Sequence, residues 1–287
     1  MEQFKDKTPV THFAQLALDC YNSPKDDEYR KQFNRSWVKV DEWPRKTDPY
    51  YDPKQLGADK DTGFYGAFYK NTTTNVGAIA IRGTSSVLDY LVDGEYVFDI
   101  PVKQYEEALN FVAKVKALYP NVKKLYVCGH SLGGIIAKMI APRIGLNTIA
   151  FNSPGVVQFL KKRNLPWVRA YNSDAMCSIP AKQTIITYCA NGCPIGNLRH
   201  DNDVGVYKWL PVLGEKRIPD SSDRINFTKL AGSIMELNMD PIDAIDNIPD
   251  FVKHTFINEQ GIVLLKYHSM VEMYVSLKSG LYQNDRI

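Results

Sequence analysis

The chain has 287 residues, enough for one large domain or two small ones. Apolar residues make up 44% and charged residues 23%, the balance of an ordinary globular protein, and the net charge of +3 is too small to indicate a nucleic-acid partner. No stretch approaches the roughly 20 apolar residues of a membrane-spanning helix. The first residues lack the apolar core of a Sec signal peptide, so we expect synthesis in the cytoplasm and any export by a non-Sec route.

The five cysteines are an odd number at low density, which does not indicate a disulfide framework. Cys189 and Cys193 are spaced C-x-x-x-C without a second Cys/His pair at zinc spacing nearby, so we expect no metal site. A disulfide among Cys177, Cys189 and Cys193 remains an alternative if the protein leaves the cytosol.

The predicted elements alternate between strands and helices along most of the chain. Apolar residues at helical spacing predict a helix over residues 11–21 with Thr11 as its N-cap, and the proline-bearing segment 22–60 is predicted to be loop with short pieces of structure. Further predicted elements are strands at 63–70 and 76–82, a helix at 105–119, a strand at 125–128, a helix at 132–144, and strands at 148–151 and 167–171. This alternation predicts a single α/β domain over residues 1–287, with a mostly parallel central sheet and helices on both faces.

A G-x-S-x-G motif, Gly129-His130-Ser131-Leu132-Gly133, lies between a predicted apolar strand and a predicted helix rich in small residues. This strand–turn–helix setting is the one in which a nucleophilic serine projects at the carboxyl edge of a parallel sheet. We therefore predict that Ser131 is the nucleophile and that the glycines allow the strand and helix to approach closely. The alternative is a glycine-rich junction without chemistry, and His130 is interpreted as a packing residue.

The segment Arg82-Gly83-Thr84-Ser85-Ser86, which follows a predicted strand, is a candidate oxyanion loop. A tetrahedral acyl intermediate needs two or more hydrogen-bond donors that point at its oxygen. Thr84, through its N–H and hydroxyl, and the N–H of Leu132, directly after the nucleophile, are the predicted donors. The same Ser/Thr-rich residues are also typical of a helix N-cap, and both roles are compatible.

Two sequence segments in this order, AIAIRGTSSVLDYLVD at 78–93 and VCGHSLGG at 127–134, resemble the class 3 lipase family of fungal-lipase-like α/β hydrolases, which includes bacterial members. The resemblance covers roughly residues 60–180 and a short piece near the carboxyl terminus. It implies an α/β-hydrolase fold, an acyl-enzyme mechanism without a cofactor, and a lipid ester substrate, often cleaved with phospholipase A1 activity.

The base and the acid of a triad follow the serine along the chain of α/β hydrolases, in the order Ser, then Asp or Glu, then His. Asp174 follows the predicted strand at 167–171 and is similar to the family's D-x-V-x-x-x-P pattern, with Met176 at the Val position. The alternative for Asp174 is a polar residue in a turn. Chain order leaves His200, His254 and His268 as candidate bases, and the resemblance favours His268, which is similar to the family's late H-x-x-x-x-x-Y helix start.

Two segments are candidates for covering the site. An apolar stripe formed by Leu88, Tyr90, Leu91 and Val92 follows the oxyanion loop and resembles the family's lid, although it equally suits packing in the core. The long connection between Asp174 and His268 predicts a helical cap insertion at about residues 181–265, which would shape substrate choice.

These features together predict a serine-dependent lipase or phospholipase A1-like hydrolase that makes transient contact with a membrane surface. A small-ester esterase or acyltransferase with the same triad, and a non-catalytic binding module on this fold, remain alternatives. A phospholipase without a Sec signal would threaten the membranes of its own cell. That conflict leads to the hypothesis of an exported antibacterial effector that is inhibited by an immunity protein.

Overall fold

The structure, a computed structural model, describes residues 8–21, 35–83, 102–157, 160, 183–190, 193, 196 and 204–210. The helices in these ranges are α1 (Val10–Asp19), α2 (Val102–Leu118) and α3 (Leu132–Ile144). The strands are β1 (Trp37–Trp43), β2 (Tyr51–Asp52), β3 (Ala58–Asp59), β4 (Gly66–Asn71), β5 (Val76–Ile81), β6 (Lys124–His130), β7 (Asn147–Phe151), β8 (Ile185–Ala190) and β9 (Val206–Leu210).

The described residues contain a seven-stranded sheet in the order β1-β4-β5-β6-β7-β8-β9. Strands β5 to β9 pair in parallel, whereas β1, β4 and β5 pair antiparallel. The carboxyl ends of the parallel strands therefore meet at one edge of the sheet, which is where α/β folds build their sites. The predicted α/β-hydrolase fold with a mostly parallel sheet is confirmed.

Helices cover both faces of this sheet. On one face, Phe13 and Leu16 of α1 pack in a buried cluster with Tyr126 of β6. On the other face, Phe111 of α2 and Ile136 of α3 pack in a second cluster. Every residue of β5 is buried, as expected for a strand that is covered from both sides.

One prediction near the amino-terminal part of the chain was wrong. Helix α1 begins at Val10, and its N-cap position is Pro9, so Thr11 lies within the helix and does not cap it. Strand β1 is one of the short pieces of structure within the segment that is predicted to be loop with such pieces. It is an edge strand whose register shifts between Lys39 and Asp41, and charged residues are tolerated at such an edge, which hides the alternating pattern of a half-buried strand.

Two strands also lie within the range that was predicted to be a cap insertion. Strand β8 pairs with β7, and β9 pairs with β8, so residues 185–190 and 206–210 belong to the central sheet and not to a cap. Ile185, Ile186, Thr187 and Tyr188 are β-branched or aromatic, which is the composition of a buried strand. Residues 211–265 and the predicted strand at 167–171 lie outside the described residues, so the cap stays a prediction for residues 211–265.

The first turns of α2 dock on the turn between β3 and β4 through a set of polar contacts. The Thr62 hydroxyl lies 2.9 Å from Glu107 Oε2 and 3.2 Å from Asp59 Oδ1, and its single proton serves only one of these acceptors at a time. Burial raises the pKa of Glu107 to about 7; the Thr62 hydrogen bond opposes this shift, while the nearby Asp59 and Asp61 add to it. The folded surroundings thus favour the protonated form of Glu107.

Glu107→Gln is expected to be more stable than the wild type at about pH 8 and to lose this advantage near pH 4.5. A carboxyl with a raised pKa binds its proton more tightly in the folded state. Its contribution to stability is therefore full below the unfolded pKa and is lost as the pH rises through about 7. The side chain is half-exposed, so solvent screening limits the effect to on the order of 1 kcal/mol.

The free energy of unfolding, measured in urea at several pH values, tests this expectation. Glu106→Gln is the matched control, because Glu106 is the exposed neighbour on the same helix. An identical pH dependence for the two variants and the wild type would contradict a role for Glu107.

Candidate active site

Ser131 occupies a tight turn between the end of β6 at His130 and the start of α3 at Leu132. Its backbone has φ 56° and ψ −124°, a region that residues with a side chain rarely adopt. The surrounding backbone holds this conformation: the Ser131 N–H donates to the Phe151 carbonyl at 3.0 Å, and the Ile135 N–H donates to the Ser131 carbonyl at 3.1 Å. The sequence motif therefore folds as a strained strand–turn–helix junction with a serine at its apex.

The glycines of this junction are required by close backbone contacts, as the motif predicts. A Cβ atom on Gly133 would overlap the carbonyl oxygen of Ile81 and would lie 2.7 Å from the carbonyl carbon of Arg82. A Cβ atom on Gly129 would overlap the carbonyl group of Gly133 and lie 2.8 Å from the Gly134 nitrogen. The start of α3 is thus pressed against the ends of both β5 and β6, which leaves no space for side chains.

Gly83, after the end of β5, lies directly beside the serine. A Cβ atom on Gly83 would lie 2.5 Å from Tyr21 Oη, 2.6 Å from the His130 carbonyl oxygen and 3.2 Å from Ser131 Cβ. The residue that precedes the predicted oxyanion donor Thr84 is therefore packed against the elbow.

Arg82, immediately before Gly83, is fixed by several contacts. Its guanidinium donates to the carbonyl oxygens of Leu56 and Gln55, at 3.0 Å each, and lies 5.0 Å from the centre of the Tyr65 ring. Its backbone N–H donates to the Tyr65 carbonyl at 3.0 Å. Burial lowers the pKa of this guanidinium from its ordinary value, yet an arginine stays charged in proteins. The chain is thus held firmly up to the start of the candidate oxyanion loop.

Leu132 is the first residue of α3 and directly follows Ser131. The first N–H groups of a helix have no acceptor within the helix, and they carry the positive end of its dipole. This position suits the predicted role of the Leu132 N–H toward a developing negative charge, and the role itself stays a prediction.

His130, which was interpreted as a packing residue, makes a specific hydrogen bond. Its Nδ1 lies 2.7 Å from Tyr21 Oη, and the two rings meet edge to face with their centres 5.7 Å apart. The residues are 109 positions apart, and no local sequence pattern indicates that they pair. Tyr21 is the polar residue near Ser131 that sequence reasoning missed.

The thiol closest to the elbow in sequence, Cys128, does not compete with Ser131 as a nucleophile. Burial raises the pKa of Cys128 well above its usual value, and the neighbouring Cys20 raises it further. A nucleophilic cysteine has to be a thiolate, and this thiol stays protonated.

Several predicted site residues lie outside the described residues, so their positions stay predictions. They are Thr84, Leu88, Tyr90, Leu91, Val92, Asp174 and His268, together with the alternative bases His200 and His254. Among the residues that the structure describes, no group of three or more His, Cys, Asp or Glu side chains is arranged to hold a metal ion. Within the same ranges, no helix combines the length and apolar character needed to cross a bilayer.

Comparison with known proteins identifies a family that the chain matches. Residues 12–209 match the family described as "Phospholipase-like: Tle-like phospholipase domain". The chain is 40% identical over 65 residues to "Putative lipase ATG15" of Lodderomyces elongisporus. The aligned region covers 22% of this chain and 12% of that protein. It is 24% identical over 208 residues to the Debaryomyces hansenii protein of the same name, and this aligned region covers 56% of this chain and 33% of that protein. The matches thus span about a third or less of these relatives.

Solved lipase structures show a weaker likeness. Lip2 lipase from Yarrowia lipolytica aligns with a TM-score of 0.42 at 16% identity, over 70% of this chain and 78% of that one. Lipase II from Rhizopus niveus aligns with a TM-score of 0.44 at 12% identity, over 69% of this chain and 78% of that one.

Proposed function

Because the chain belongs to the family of Tle-like phospholipase domains, we propose that it is a serine hydrolase that cleaves carboxylic ester bonds of lipids through an acyl-enzyme on Ser131. The observation that carries this proposal is the backbone of Ser131, which has φ 56° at the strand–helix junction beside Gly83. Such strain persists only where the surroundings impose it, and it is typical of sites where the conformation serves chemistry.

The proposed reaction proceeds in two halves. His268 takes the proton of the Ser131 hydroxyl while the serine oxygen attacks the acyl carbonyl, and Asp174 stabilises the resulting imidazolium. The tetrahedral intermediate collapses as His268 returns the proton to the leaving alcohol, which leaves the acyl group on Ser131. Water then attacks this acyl-enzyme with the help of the same base and releases the fatty acid.

The oxyanion of each tetrahedral intermediate is assigned to the N–H of Leu132 and to Thr84. The fixed position of Arg82 and the contact of Gly83 with the elbow support this assignment, because they bring the chain that enters Thr84 next to the serine. Preorganised donors in such a place are worth about 10²–10³-fold in kcat each.

The substrate class rests on the family and on the names of the relatives, so the head group and the position of the cleaved ester are left to measurement. A lid at residues 88–92 and contact with a membrane surface fit a lipid substrate, since an apolar acyl groove has to be covered in water. Delivery as an exported effector, and inhibition by an immunity protein, are further parts of this proposal.

The decisive experiment joins a covalent label to an analysis of products. A fluorophosphonate probe is expected to label the wild type and Cys128→Ala but not Ser131→Ala. Mass spectrometry of products from mixed phospholipid and triacylglycerol vesicles is expected to show free fatty acid with the same dependence on Ser131.

Each alternative has its own outcome. Hydrolysis of soluble p-nitrophenyl esters without release of fatty acid from vesicles would favour the small-ester esterase. Absence of labelling in the native protein would favour the non-catalytic binding module and would overturn the proposal.

A further inference from the structure

Three segments of the chain meet at the hydroxyl of Tyr21, close to Ser131. Tyr21 lies two residues after the carboxyl end of α1, His130 ends β6, and Gly83 lies two residues after β5. Tyr21 Oη lies 2.7 Å from His130 Nδ1 and 2.5 Å from the place that a Cβ atom on Gly83 would take. One oxygen atom therefore makes a hydrogen bond to the residue before the proposed nucleophile and packs closely beside Gly83, the residue before the proposed oxyanion donor.

The helix that precedes Tyr21 is firmly seated on the sheet. Phe13 and Leu16 are fully buried in the core cluster. The Tyr21 N–H closes the last turn on the Leu18 carbonyl at 3.1 Å. The Tyr21 ring is thus presented from a rigid element, and rigid support is what keeps a site within a few tenths of an ångström of its working geometry.

We propose that Tyr21 is a positioning residue of this hydrolase, because its hydroxyl is hydrogen-bonded to the nucleophile elbow at His130 and packs beside Gly83 at the start of the candidate oxyanion loop. This inference rests on the proposed function. Tyr21 reaches Ser131 through its chain neighbour His130, so it acts on the transition state by fixing the position of the elbow relative to Gly83. Donors displaced by about 1 Å lose on the order of 10²-fold in rate, even when substrate binding is retained.

The chemistry of the pair allows a rescue test. In the tautomer that carries its proton on Nε2, the neutral imidazole accepts a hydrogen bond from the Tyr21 hydroxyl at Nδ1. The side-chain oxygen of asparagine accepts a hydrogen bond at nearly the same distance from the backbone, whereas leucine accepts none. His130→Asn is therefore expected to keep the link to Tyr21, and His130→Leu is expected to break it.

The experiment measures kcat and KM separately on p-nitrophenyl butyrate, together with the unfolding temperature of each variant. Tyr21→Phe and His130→Leu are each expected to lower kcat by about 10- to 100-fold, with KM within about threefold of the wild type. The double variant is expected to lose no more than either single one, because both break the same link. His130→Asn is expected to keep kcat within about threefold of the wild type.

Tyr69→Phe is the matched control, because it removes a tyrosine hydroxyl that holds the same helix but does not reach the elbow. It is expected to lower the unfolding temperature and leave kcat unchanged. If Tyr21→Phe behaves like Tyr69→Phe, or if His130→Asn is as impaired as His130→Leu, the positioning role is overturned while the proposed function stands. A wild type without Ser131-dependent hydrolysis overturns both.

Discussion

Ser131→Gly is expected to be more stable than Ser131→Ala, although both variants lose ester hydrolysis. Removing the nucleophile of a serine hydrolase lowers kcat/KM by about 10⁵-fold or more, because neither the base nor the acid acts without it. Both changes remove the same hydroxyl, so the loss of activity is expected to be equal. The two variants differ in whether residue 131 carries a Cβ atom, which decides how easily its backbone adopts the native conformation.

The expected difference in stability follows from the Ser131 backbone, with φ 56° and ψ −124°. Alanine keeps a Cβ atom and the strain of this conformation, which is of order 1–3 kcal/mol, whereas glycine adopts it without cost. Glycine also makes the unfolded chain more flexible, which lowers the free energy of unfolding by about 0.4–1 kcal/mol. We therefore expect Ser131→Gly to exceed Ser131→Ala by on the order of 1 kcal/mol in free energy of unfolding.

Denaturant unfolding of the two inactive proteins under the same conditions measures this difference directly. Equal stabilities would mean that the turn is relaxed around serine and that the Ser131 backbone carries no strain.

The elbow was predictable from the sequence because its signals are local. A short apolar strand, a G-x-S-x-G turn and a helix of small residues stand next to one another, and the helix lies where it was predicted, at Leu132–Ile144. The requirement for glycine at position 133 also follows from the motif, since helix and strand cross there.

The features that were missed depend on contacts between distant segments. The hydrogen bond from Tyr21 to His130 joins residues 109 positions apart, and nothing in either neighbourhood indicates it. Strand β1 mixes charged and apolar residues because it lies at the edge of the sheet. Strands β8 and β9 were placed in a cap because the length of the connection outweighed the β-branched composition of β8.

Gly133→Ala is expected to damage both the fold and the activity, because the added methyl group meets only backbone. It would overlap the Ile81 carbonyl oxygen and lie 2.7 Å from the Arg82 carbonyl carbon and 2.8 Å from the Ile81 carbonyl carbon. No side chain can rotate away to make room, so the start of α3 has to move from the end of β5. We expect a loss of about 3 kcal/mol in free energy of unfolding.

The same shift would separate the Leu132 N–H and Ser131 from the loop at Gly83, so kcat is expected to fall by more than about 10²-fold in the protein that remains folded. Gly145→Ala, at the other end of α3, is the matched control: Gly145 has φ 68°, but a Cβ atom there would meet nothing within 4 Å. That variant should cost about 1 kcal/mol in stability and leave kcat intact. Denaturant unfolding and ester hydrolysis by the two variants separate the effect of backbone conformation from that of contact. If Gly133→Ala were as active and as stable as Gly145→Ala, the close approach of α3 to β5 would not be what holds the serine in place.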